Sequence, residues 1–160
     1  MLFRSTYDYQ AIGRLADQFI LMAYDQHHRL GPPGPIAGYN WVATALEETL
    51  SLVPAPKVWL GLPLYHRDWG EAGSSTGSHA EALSHLEQGG GEMQWDELAR
   101  EAWFSTTRDG AVQTTWLENS RSIAEEIGLA KRYHLGGVAA WRLGQEDPEV
   151  WDVLEQYRTK

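Results

Sequence analysis

The chain has 160 residues with 22% charged and 42% hydrophobic side chains, a size and mix that fit one globular domain with a sizeable core. Its net charge of −9 argues against nucleic acid or an anionic membrane surface as partner and fits a neutral or basic ligand, or only a solvated surface. Cysteine is absent, which excludes disulfides, thiolate metal sites and a Cys nucleophile but does not settle the compartment.

Residues 1–7 show no basic region followed by an apolar core, so no signal peptide is expected. The longest apolar run is far shorter than the ~20 residues of a membrane span. Eight tryptophans and seven tyrosines are many for this length. They read either as a core rich in large side chains or as a sugar cleft, where flat aromatic faces stack on pyranose rings.

Residues 8–18 predict a short helix capped by Asp8, with Ile12, Leu15 and Ala16 on one face. Phe19-Ile20-Leu21-Met22-Ala23 then run without a charge into Tyr24-Asp25. Such a run reads as a strand buried on both faces, as in a parallel sheet covered by helices. Polar residues at the C-terminal end of that strand stand where α/β folds place their chemistry. Residues 26–35 are a loop punctuated by Pro and Gly. Residues 40–52 predict a helix with Asn40 as cap and Trp41, Val42, Ala45, Leu46 and Leu50 inward. Pro54 and Pro56 stop it. A second strand covers 57–65, its regular part ending near Leu62 because Pro63 cannot donate to a ladder.

From 66 to 118 the pattern changes. A Gly/Ser-rich stretch at 73–78 precedes a helix over 80–86, Gly89-Gly90-Gly91 breaks the chain, and a second short helix is expected over 96–102. Residues 103–108 and 111–117 pair as a hairpin across Asp109-Gly110, a strong turn signal. A helix over 119–133, capped by Asn119 or Ser120, carries Ile123, Ile127 and Ala130 on one face, with Glu118 and Glu126 read as solvated. The third strand is Val138–Leu143. Asp147-Pro148 opens a last helix with Val150, Trp151 and Leu154 inward.

Three apolar strands alternating with helices imply an α/β fold with a parallel sheet. Three strands supply only part of a (β/α)8 barrel, which takes about 250 residues; the other reading is a small open three-layer sheet complete in itself. His27-His28 is a weak metal signal, because neighbours on an extended chain point to opposite sides and no third ligand stands out. No metal or cofactor is expected.

Met22-Ala23-Tyr24-Asp25 resembles the Met-x-Tyr-Asp signature of glycoside hydrolase family 18, the chitinase-like enzymes. Gly34–Ala37 with Trp41-Val42 resembles the loop and helix after that family's sixth strand, and Lys57–Tyr65 its seventh strand. Residues 66–118 resemble its α+β insertion, ending in Thr115–Asn119, and Gly136–Gly144 its eighth strand. The Trp-Arg-Leu-Gly ending is most similar to bacterial enzymes that cut spore-cortex peptidoglycan. The resemblance implies the C-terminal part, strands six to eight, of a (β/α)8 TIM barrel. Residues 1–65 and 119–160 would be barrel and 66–118 insertion.

It further implies hydrolysis of β-1,4 bonds at N-acetylglucosamine in peptidoglycan or chitin by substrate-assisted catalysis, in which the acetamido oxygen attacks its own anomeric carbon. Tyr24 would hold that oxygen, Asp25 would bind sugar hydroxyls or tune neighbouring acids, and Trp141 would floor the reacting sugar. Met22 would pack beside the acetamido methyl, and Tyr65, Arg67 and Trp69 would line the cleft. The family's acid motif, Asp-x-x-Asp-x-Asp-x-Glu, does not occur in these 160 residues. The chain alone is therefore expected to be a weak catalyst or inactive, or else a carbohydrate-binding module without chemistry. Its strands would expose apolar side chains and a sheet edge, inviting self-association or a complementary N-terminal half-barrel. Family members are often secreted, cell-wall or spore associated. The resemblance also predicts a cis peptide at Trp141–Arg142.

Overall fold

The computed structural model describes residues 6–71, 73–108 and 110–158. Two sheets share the chain. The first is parallel, in the order β1 (Phe19–Leu21), β2 (Val58–Pro63), β8 (Gly137–Trp141), with Leu21 beside Leu60 and Leu62 beside Ala140. The second is antiparallel and lies between β2 and β8 in sequence. Its order is β4 (Gly73–Gly77), β3 (His66–Gly70), β7 (Ala111–Leu117), β6 (Glu101–Arg108), β5 (Gln94–Asp96). Five helices complete the described residues: α1 (Tyr9–Leu15), α2 (Tyr39–Leu50), α3 (His79–Gly89), α4 (Ser120–Arg132) and α5 (Val150–Arg158). No helix among them is long and apolar enough to cross a membrane.

The parallel sheet keeps one face dry. Phe19, Leu21, Val58, Leu60 and Leu62 pack with Val42, Ala45 and Leu46 of α2, Ile123, Ile127 and Ala130 of α4, and Val150 of α5. The alternate residues face the other way, and Ile20 is 53%, Met22 68% and Trp141 56% exposed. The strands are therefore covered on one side, not both. Helices α2, α4 and α5 lie on that side, and period-two alternation sends every second side chain to the open face. A smaller cluster of Ile36, Tyr65, Trp69 and Trp116 joins the loop after β1 to the second sheet.

Local sequence accounts for most boundaries. Asp8 caps α1 by accepting from the Ala11 N–H at 2.9 Å. α1 is shorter than expected, and its Leu15 is 88% exposed instead of inward. α2 begins after Gly38, not at Asn40. Ser78 and Glu81 form a capping box at the start of α3, and Asn119 and Ser122 do the same for α4. Trp151 turns outward at 46% exposure while Val150 is buried, so the inner stripe of α5 excludes it.

The expected helix over 96–102 does not form. Gln94–Asp96 pair with β6 instead, and the Asp96 carboxylate accepts from Leu98 and Ala99 N–H groups to fold a turn. The Gly/Ser stretch at 73–77 is strand β4, held by pairing to β3. The hairpin joining β6 and β7 is present; Gly110 has φ 81°, and Asp109 lies outside the described residues, as do residues 1–5 of the N-terminal signal expectation. The Trp141–Arg142 peptide is cis, as expected.

Candidate active site

The three parallel strands end at one cavity of about 280 Å³, lined by Tyr24, Asp25, Tyr65, Arg67, Thr76, Trp141, Arg142 and Gln145. Tyr24 and Asp25 follow β1, Tyr65 follows β2, and Trp141 closes β8. Carboxyl ends of parallel strands are the usual seat of chemistry in α/β proteins.

Asp25 is the hub. Its backbone is left-handed, φ 61°, a conformation rare outside Gly, Asn and Asp, and it aims the carboxylate back over the sheet end. The Tyr65 hydroxyl donates to Asp25 Oδ1 at 2.5 Å, and Arg67 Nη2 donates to the same atom at 2.7 Å. Arg67 is itself buried. Its Nη1 donates to the His27 carbonyl at 2.8 Å, and its guanidinium lies 5.6 Å from the Tyr65 ring centre. The Asp25 side chain is half exposed and lines the cavity as part of this three-residue network.

Tyr24 meets Tyr65 edge-on, ring centres 6.4 Å apart. Burial pushes the Tyr24 hydroxyl's pKa up, and the neighbouring Asp25 charge adds to it. Burial, then the hydrogen bond to Asp25, raises that of Tyr65 further. Both phenols therefore stay protonated and serve as donors at any ordinary pH. Gly61 makes room for this. A Cβ there would lie 2.9 Å from the Leu21 carbonyl oxygen and 3.0 Å from the Tyr24 ring.

Tyr24, Asp25, Tyr65, Arg67 and Trp141 thus come together in one cavity. Met22 is on the open sheet face beside it, 68% exposed. Trp69 departs from expectation. It is 6% exposed and packs on Ile36, Tyr65 and Trp116 in place of lining the cavity. The physical reason is register. Residue 69 pairs with Thr114 inside the second sheet, two residues on from Arg67, and the same face is already roofed by the loop holding Ile36. Thr76, Arg142 and Gln145 were not anticipated. Thr76 arrives only because β4 pairs with β3 opposite Arg67, a contact without a sequence signal. His27 and His28 brace their own loop, His27 Nδ1 at 3.1 Å from the Pro32 carbonyl and His28 Nδ1 accepting from the Leu30 N–H.

The second sheet holds the loop behind Asp25. Glu101 accepts from the Ile36 and Ala37 N–H groups at 2.8 and 3.1 Å, and the Ala99 carbonyl accepts from Tyr39 N–H. Glu101, Glu118 and Glu126 are all at least 97% buried, which corrects the reading of the last two as solvated. Both stand on the face of the chain turned to the sheets, where Ser122 Oγ donates to Glu118. Burial raises the pKa of all three, that of Glu101 to about 8, and mutual repulsion adds to the shift of Glu118 and Glu126. None of the three lines the cavity.

The model of the family "Glycosyl hydrolases family 18" matches residues 2–146. Among curated relatives, the chain is 30% identical to the cortical fragment-lytic enzyme of Bacillus subtilis, over 92% of this chain and 36% of the relative. It is 29% identical to the uncharacterized glycosylase YvbX of the same organism, over 94% and 45%. Among solved structures, it superposes on the Bacillus cereus spore cortex-lytic enzyme SleL with a TM-score of 0.89 at 27% identity, covering 94% of this chain and 36% of that one. The Chromobacterium violaceum chitinase gives 0.90 at 31%, covering 96% and 49%. The chain thus spans between a third and a half of the length of these relatives. With the family match running over nearly its whole length, the chain belongs to glycosyl hydrolases family 18.

Proposed function

We propose that this chain forms one wall of a cleft for N-acetylglucosamine units of peptidoglycan or chitin, where β-1,4 bonds are hydrolysed with the substrate's own acetamido group as nucleophile. On this reading β1, β2 and β8 are strands six to eight of a (β/α)8 barrel. Residues 1–65 and 119–160 belong to the barrel and 66–118 to the insertion. The relatives named as cortex-lytic enzyme and chitinase support the substrate class. The observation that carries the reading is the fixed Asp25–Tyr65–Arg67 network beside Tyr24 and Trp141 in one cavity.

The protonated Tyr24 hydroxyl can donate to an acetamido oxygen and hold it in line, while the Tyr65 hydroxyl is committed to Asp25, and Trp141 offers an apolar face for a pyranose ring. Met22 supplies an apolar contact for the acetamido methyl. What this set does not supply is a proton for the leaving oxygen. That task needs a carboxylic acid with a raised pKa at the scissile bond. The three carboxyl groups raised by burial lie away from the cavity, and the acid motif of the family is absent from the sequence. The chain alone is therefore inactive or nearly so. The same cavity supports a second reading, a carbohydrate-binding module without chemistry.

A fluorogenic N-acetylglucosamine oligomer and a calorimetric titration with the unlabelled oligomer test both. Binding without turnover, weakened by about 1–2 kcal/mol in Tyr24→Phe, is expected. Turnover that falls in Tyr24→Phe would overturn the inactivity. A folded chain that neither binds nor cleaves would overturn the site.

A further inference from the structure

We propose that His66, Asp68 and His85 bind a divalent transition-metal ion of the zinc class, which clamps α3 to the second sheet. The inference does not rest on the glycosidase reading. His66 and Asp68 are two apart on β3 and share one face of the strand, whereas Arg67 between them points to the cavity. His85 lies three residues beyond Ala82, the fully buried position by which α3 packs on the sheet. Strand and helix thus bring three ligands, two imidazoles and a carboxylate, to one point from separate elements.

The distances fit. Asp68 Oδ2 is 3.2 Å from His66 Nε2 and 3.3 Å from His85 Nδ1, and all three ligand atoms lie within 4.8 Å of one another. Ligands about 2.0–2.2 Å from a tetrahedral ion stand about 3.3 Å apart.

Hydrogen bonding favours an ion over a proton. His66 Nδ1 is 2.7 Å from the Ser78 carbonyl, which can only accept, so Nδ1 carries the hydrogen. The Nε2 of neutral His66 then turns a lone pair toward a carboxylate oxygen at a site where His66 is 2% exposed. A cation must lie between them. Burial opposes charge on His66, yet Asp68 and the Ser78 carbonyl raise its pKa, so one proton can bridge that pair. A proton there does nothing for His85. Its Nδ1 is buried, faces the same oxygen and has no hydrogen-bond partner among the described residues. A metal ion satisfies both nitrogens at once. An N–H to carbonyl contact opposite the ligating nitrogen is also how metal-bound imidazoles are oriented. Asp68 is steadied in turn by Thr115 Oγ1 at 2.6 Å on Oδ1 and by Ser75 Oγ at 3.2 Å on Oδ2.

Two imidazoles and one carboxylate suit zinc and its neighbours better than calcium or magnesium, which take oxygen ligands. A cavity of about 200 Å³ opens beside Asp68 and His85, lined also by Ser74, Ser75 and Gln113, and gives a water room to complete the shell. The ion would fix the register of β3, and through it the Arg67 guanidinium that holds Asp25.

The test is titration of the chelator-stripped full chain with Zn2+, and with Co2+ as a spectroscopic probe, in samples whose near-UV circular dichroism shows fixed aromatic packing. One equivalent is expected to bind. Co2+ should give visible d–d bands, Zn2+ but not Mg2+ should raise the thermal midpoint, and His85→Ala and Asp68→Asn should each weaken binding at least about tenfold. The double variant His27→Ala/His28→Ala should bind as the wild type does. Folded wild type without saturable Zn2+ binding, or His85→Ala with unchanged affinity, would overturn the site and leave a proton-bridged His66–Asp68 pair.

Discussion

At the scale of single residues, the site depends on side chains that hold other side chains. Arg67 is buried with three hydrogen-bonding contacts, to Asp25, the His27 carbonyl and Thr76. Arg67→Met keeps its bulk and leaves those acceptors unpaired. It is expected to destabilise the chain by on the order of 1–3 kcal/mol in urea melts and to weaken sugar binding more than Tyr24→Phe does. Gly61→Ala acts by volume. A methyl 3.0 Å from the Tyr24 ring must displace either that ring or β1, so a loss of about 1–3 kcal/mol and a lost sugar isotherm are expected together. Stability lost with binding intact would mean that Tyr24 keeps its place by other means.

At the scale of elements, the second sheet braces the first through buried acid. Glu101 of β6 ties the loop leading into α2, and Glu118 and Glu126 sit at the junction with α4. Their pKa values are raised in the folded chain, so it holds protons that the unfolded chain has released. Stability from these groups is therefore full below the ordinary Glu value and falls as pH rises toward about 8. His66, also raised, acts in the same direction. The depressed Asp68 and Asp147 act in the opposite sense but only in acid, below the ordinary Asp value, while His79, lowered by burial, opposes below the ordinary His value and is outnumbered by the three glutamates and His66. The urea midpoint is thus expected to be higher at about pH 5 than at about pH 8. Glu126→Gln, which keeps shape without charge, should flatten that dependence and gain on the order of 1 kcal/mol at the alkaline end. Both carboxyl oxygens of Glu126 are buried without a hydrogen-bond partner among the described residues, so an amide there has few native bonds to break. A pH profile unchanged in Glu126→Gln would refute the junction as the source.

At the scale of the whole molecule, the parallel sheet is finished on one face only. Ile20, Met22 and Trp141 stand out on the other, and among the described residues β1 and β8 each have one unpaired edge. Exposed apolar strands with open edges are templates for association. Sedimentation is expected to show concentration-dependent species heavier than a monomer, and Ile20→Lys to shift the population toward monomer. A wild type that stays monomeric at high concentration would mean that this face tolerates water. Addition of a polypeptide carrying the first five strands of a relative's barrel should protect Trp141 from quenching if the face is the seam of a barrel.

Much of this was legible before any coordinates. Phe19–Ala23, Val58–Leu62 and Val138–Leu143 are short apolar runs that read as strands, and the helices between them carry a 3.6-residue stripe, so the parallel sheet follows from local pattern, although only one of its faces is covered. Tyr24 and Asp25 are marked by their place at the end of the first run, and Trp141 by the family resemblance. What sequence could not carry is pairing across the chain. Trp69 looked like a cleft residue until its register in β3 buried it, and Gly73–Gly77 has no strand propensity apart from the partner it finds. Glu118 and Glu126 read as water-facing because carboxylates usually are, and they are buried where α4 and the residue before it meet the sheets. His66, Asp68 and His85 carry no motif, since they meet through a strand and a helix whose contact is set by packing. Short-range hydrogen bonding and hydrophobic period are written locally in the sequence, whereas burial of a charge and convergence of ligands depend on which distant surfaces the fold presses together.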